Sequence, residues 1–155
     1  MSTFPLVNLV SITPVLDTGA YADGDVLFPD MVLAAVARAN TRDVTLISVA
    51  LRDLAIQNGP FDLFFFSAEP ATGTYTANGV FTLHDTDADL FVGHVSILAT
   101  DYANAAASSV ATKRNIGLQM ETTTGDDLYV IGVSRGTPDY VTASDLMIHL
   151  QFIRD

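Results

Sequence analysis

The chain has 155 residues and no Cys, and its 18 acidic against 7 basic side chains give a formal net charge of −11. That balance argues against direct nucleic-acid binding, since like charge repels a phosphate backbone, and the missing Cys excludes a disulfide framework, thiolate metal sites and a Cys nucleophile. Hydrophobic residues make up 49% and charged residues only 16%, against about 25% charged in ordinary soluble chains, so part of the surface is expected to lie under other subunits.

The opening Met1-Ser2-Thr3-Phe4-Pro5 has neither the basic start nor the apolar run of a signal peptide. No run approaches the roughly 20 apolar residues that span a bilayer, so no membrane association is expected. Residues 1–23 are read as a possible extended arm, from Phe4-Pro5 and the spacing of prolines from Pro14 to Pro29, although Leu6 to Ile12 also has strand composition. A weaker strand covers Val26 to Phe28. Next comes a firm one, with Thr45, Ile47, Val49 and Leu51 on one face and Ser48, Ala50 and Arg52 on the other.

Phe61 to Ser67 carries the run Phe64-Phe65-Phe66, which puts rings on both faces. Such a strand is central to a sandwich or lies under a neighbouring subunit. A weak strand follows at Val80 to Leu83. Asp85-Thr-Asp-Ala-Asp is spaced like a calcium loop, but Leu90 and Ser96 stand where an EF-hand needs Gly and Glu, so capping of a helical turn is the reading adopted. Asp17, Asp23 and Asp25 form a second acidic loop, read in the same way. Val92 to Ile97 is a strand. The Ala-rich segment from Tyr102 reads as a helical turn. Ile116, Leu118 and Met120 alternate with Asn115, Gly117 and Gln119. Leu128 to Ser134 is another strand, and Leu146, Ile148, Leu150 and Phe152 alternate with Met147, His149 and Gln151.

Turn signals such as Gln57-Asn-Gly-Pro, Asn78-Gly and Gly136-Thr-Pro-Asp separate these strands. The expectation is therefore one all-β domain over residues 1–155, an antiparallel two-sheet sandwich of jelly-roll or Greek-key type. His84, His94 and His149 have no zinc-type spacing and no phosphate-cradling loop is present, so no metal, no cofactor and no catalytic residue is expected. Arg135-Gly-Thr-Pro-Asp-Tyr140 is the most distinctive segment: it presents Arg and Tyr, which are enriched at interface hot spots, or else it plugs the end of the sandwich. Arg135, Pro138, Tyr140, Arg38, Phe64 and Phe66 are the candidate interface residues.

The succession Arg38-Ala39-Asn40, Val44 to Asp53 with Gln57, Phe61-Asp-Leu-Phe-Phe-Phe, Asp85-Thr-Asp-Ala-Asp, Asn115-Ile-Gly-Leu and Arg135 to Tyr140 resembles small virion proteins of tailed bacteriophages, over about Gly24 to Asp155. Within them it is similar to head decoration or cement proteins. The resemblance implies a non-enzymatic protein on the capsid exterior, made in the host cytoplasm, which binds the major capsid protein as a homo-oligomer, with a trimer favoured. A carbohydrate-binding β-sandwich is the alternative, though such modules present Trp or Tyr platforms and this chain has no Trp and 5 Tyr.

Overall fold

The computed structural model describes residues 6–154; Met1 to Pro5, the tip of the expected arm, lie outside the described residues. One antiparallel sheet runs in the order β1 (Leu6–Ile12), β10 (Leu146–Arg154), β3 (Asp43–Asp53), β7 (Ser108–Lys113), β6 (Tyr102–Ala105), with β8 (Leu118–Glu121) also pairing with β3. The other runs β2 (Val26–Leu33), β9 (Leu128–Ser134), β4 (Phe61–Phe66), β5 (Phe91–Ile97). Placing β1, β3, β7 and β10 in one sheet and β2, β4, β5 and β9 in the other gives the expected antiparallel two-sheet sandwich and, of the two types left open, the double Greek key of a jelly roll.

Between the sheets lies the core. Leu46, Val49, Ile148, Leu150 and Phe152 come from the first sheet and Phe28, Leu63, Phe65 and Val130 from the second, all fully buried. The four alternating residues of β10 all point inward. At about 25 cal/mol per Å2 of apolar surface, residues of this size each contribute about 1.5–3 kcal/mol on burial. Gly132 in β9 admits the Phe28 ring: a Cβ there would collide with the ring edge at Phe28 Cε1.

Four expectations change. The inward residues of β3 are Val44 and Leu46, then Val49 and Leu51, so Thr45 and Ile47 face away from the core. Phe152 pairs with Leu46 and Gln151 with Ser48, which makes Ile47 the extra residue of a β-bulge; one inserted residue flips the faces of everything before it. The Ala-rich segment from Tyr102 is strand β6, paired with β7 from Tyr102–Ala111 to Ala105–Ser108, with Ala106 turning at φ 42°. A helix this short has no cooperative stability of its own, so ladder pairing decides. Residues 14–29 do not form a free arm. Pro14, Leu16 and Tyr21 are buried, and backbone bonds run from Leu16 N to Ala143 O and from Tyr21 N to Pro138 O. The weak strand at Val80 to Leu83 reduces to one bridge, Asp25 to Val80.

Candidate interaction surfaces

The outer face of the second sheet is closed by the chain itself. Residues 67–90 cross it as a strap that sets Tyr75, Phe81, Leu83 and Leu90 against Val26, Phe66, Ile131 and Val133. This accounts for the rings on both faces of β4: Phe65 enters the core between the sheets, while Phe64 and Phe66 lie under the strap.

Asp87 pins the strap. It sits in the helical turn α1 (Asp85–Ala88), is 1% exposed, and accepts bonds from Tyr75 OH (2.7 Å), Gly73 N (2.7 Å) and Thr72 N (3.1 Å). Burial alone would push this carboxyl up, but the donors from Tyr75, Gly73 and Thr72 together hold it below the usual carboxylate range. The same burial, with Asp87 alongside, pushes the Tyr75 hydroxyl well up. Capping of α1 falls to His84, whose Nδ1 accepts from Thr86 N, not to Asp85. In the other acidic loop, Asp17 accepts from Gly19 N and Asn78 Nδ2, and Asp25 from Ala22 N. The bonds from Gly19 and Ala22 form turns and that from Asn78 ties the loop to the strap, and among the described residues no group of three His, Asp or Glu is arranged to hold a metal ion.

Gly132-Val-Ser-Arg-Gly136 spells the G-x-S-x-G of a hydrolase elbow. Its setting is different: Ser134 is 0% exposed at the end of β9, bonds the Gly136 carbonyl at 3.0 Å, and leads into a loop instead of a helix.

The six sequence-predicted interface residues do not converge. Arg135 is exposed and its Nε donates to Asp62 Oδ2 at 2.7 Å. Pro138 is buried against Gly59, and Tyr140 is 1% exposed, its ring edge-on to Tyr21 at 6.2 Å. Both plug the end of the sandwich formed by the 54–60 and 135–145 loops, where Asp53 accepts from Ala55 N and Asn58 N and Leu54 N bonds Asp145 O. Burial pushes the Tyr140 hydroxyl far up and that of Tyr21 to about 12. Arg38 belongs to the opposite end, where the 34–42 and 122–127 loops are tied by Ala35 N to Asp127 Oδ1 and Thr122 N to Arg42 O. Phe66 is fully buried. Tyr140, Pro138 and Phe66 are therefore interior groups with no surface to offer, because sealing the sandwich ends and the strap consumed their apolar area. Phe64 is half-buried in an aromatic group with Phe81 (5.1 Å), Phe91 (5.8 Å) and His94 (5.7 Å), of which Phe91 and His94 are exposed at the β5 edge.

The outer face of the larger sheet is open. Val7 and Leu9 of β1, His149 and Gln151 of β10, Ala50 of β3 and Thr112 of β7 point into it, with Ser48 Oγ bonded to Gln151 and Ser11 Oγ to His149 Nδ1. β1, β6, β7 and β10 contain no Asp or Glu, and in β3 Asp43 and Asp53 stand only at the ends, Asp53 being buried. In a chain of net charge −11 the acids of this face are confined to one corner, where exposed Asp43 pairs with Glu121 of β8, and the β1, β10 and β7 part carries none. Where β7 gives way to β8, Ile116 N bonds the bulge carbonyl of Ile47, and a shallow depression of about 470 Å3 opens beside Arg114, Asn115 and Gln151. Sequence reading passed over this face, although its signal was present: the outward positions of two firm strands lack acids.

No family model matches the chain, and no curated protein matches it. Among solved structures, a chain of Desmodium yellow mottle tymovirus is similar at 13% identity and a TM-score of 0.28, over 99% of this chain and 82% of that one. A likeness at that TM-score bears no weight on function.

Proposed function

We propose that this protein is a non-enzymatic virion structural protein that decorates and stabilises a phage capsid by binding assembled coat subunits, as a closed homo-oligomer for which a trimer is favoured. The observation that carries the reading is the asymmetry of the jelly roll. One sheet is sealed by the protein's own strap, and the other offers an open face, free of acids from β1 through β10 to β7, and an apolar edge strand. Jelly rolls recur in virus capsid domains, and the sequence resemblance points the same way. Fold alone does not assign function, so the support rests on the open face as well. Stabilisation follows from mass action: copies that bind the assembled shell and not free coat add RT ln(1 + [L]/Kd) to each occupied site.

The test is co-sedimentation of the purified protein with assembled shells and, separately, with unassembled coat protein of the particle it accompanies. Saturable binding to shells alone is expected. Absence of binding to shells overturns the reading.

A second reading, a carbohydrate-binding module, rests on Phe91 and His94, stacked 6.4 Å apart beside Phe64 at the β5 edge. A glycan array that captures the wild type but not Phe91→Ala would favour it.

A further inference from the structure

Each of the sheet ends except one carries a device that discourages strand addition. β2 contains Pro29 and two register shifts, β5 has a register shift at Phe65/Phe66 beside Gly93, and β6 is four residues long. β1 has none of them. Its seven residues, Leu-Val-Asn-Leu-Val-Ser-Ile, contain no charge and no Pro and pair with β10 in unbroken register from Leu6–Arg154 to Ile12–Ile148. Among the described residues its other edge is bonded to no strand. Leu6, Val7 and Leu9 are 51%, 58% and 62% exposed.

From this we infer that copies of this chain meet one another along β1 and the acid-free outer side of β10 beside it. Charge selects the occupant. Two copies at −11 each repel wherever their acidic loops approach, and the β1 and β10 surface is a broad region where they touch without opposing carboxylates. The outward positions of β1 and β10 offer an acidic chain no Lys or Arg, Arg52 and Arg114 standing on β3 and past β7, whereas a second copy contributes the same neutral, apolar strand and buries Val7 and Leu9 with it. The inference deepens the self-association in the proposed function and rests on the same open sheet, but it is read on the protein alone, without shells.

Light scattering of the full chain at micromolar concentration tests it, comparing wild type with Leu9→Lys, Val7→Lys and, as control, Val141→Lys on the 135–145 loop. All three positions are exposed, so the folds are expected to hold, which thermal melts verify for each variant. The expected result is a multiple of the chain mass for wild type and Val141→Lys, with association weakened at least about tenfold in both β1 variants, as edge lysines block pairing. A wild type at single-chain mass, or folded β1 variants that keep the wild-type mass, overturns it. Should one β1 variant fail to fold, the other decides. Self-association without shell binding would leave this inference standing and remove the capsid role; shell binding by a protein of single-chain mass would do the reverse.

Discussion

Asp87 shows how one buried carboxylate fixes a long loop. Its three donors come from 12 to 15 residues away, so the interaction closes the strap and does not merely cap α1. Asp87→Asn sets an amide N–H2 against those donors and leaves buried groups unpaired, which is expected to destabilise the fold by about 2–3 kcal/mol at about pH 7. Because the folded carboxyl titrates below its unfolded value, its stabilisation is present above the unfolded range and is lost as pH falls through the folded one. The difference between wild type and Asp87→Asn in urea midpoints should therefore shrink as pH falls below the usual carboxylate range. A gap that stays constant would show that the carboxylate's charge is not the source. Asp145, held down in the same way by Thr142 and Val141 despite its burial, adds to the acid sensitivity of the wild type.

At the scale of elements, β9 and β3 each depend on one unusual position. Gly132 lets Phe28 lie on the β9 backbone, so Gly132→Ala forces the ring to move. The expected cost is about 1–3 kcal/mol from overpacking, read as a lower thermal midpoint with unchanged strand signal in circular dichroism. In β3 the bulge at Ile47 reverses the inward face, and the alternation read from Thr45 to Leu51 holds only in its second half. That reading failed because adjacent Leu46 and Ile47 are both apolar, and a period-two pattern cannot show an inserted residue when both phases look buried. The β10 pattern was legible because its outward residues Met147, His149 and Gln151 contrast with four large apolar ones.

For the whole molecule, net charge and the neutral face pull in opposite directions. Repulsion between copies is screened as salt rises, whereas apolar contact along β1 is not, so self-association is expected to tighten between about 0.02 and about 0.5 M salt. Sedimentation velocity at the two ionic strengths reads the change. Association that weakens with salt would instead indicate an interface built from ion pairs. The interface residues chosen from the sequence were selected by residue type, and the type was right for a hot spot but equally right for a plug. Tyr140 and Phe66 went inside because the sandwich ends and the strap needed apolar area, and Arg135 found Asp62 at 2.7 Å.

Taken alone, the sequence determined the all-β class, most strand positions and the turns between them, because alternation and Gly, Pro and Asn signals are local properties of the backbone. It also determined the acidity and the shortage of charge. Tertiary structure alone decided which sheet face is sealed and which is open, since residues 67–90 could cross either sheet until Tyr75, Phe81 and Leu83 packed against Val26, Ile131 and Val133 far along the chain. It likewise decided that β1 ends a sheet: edge or centre is a matter of which strands lie alongside, and seven uncharged residues read the same in either place.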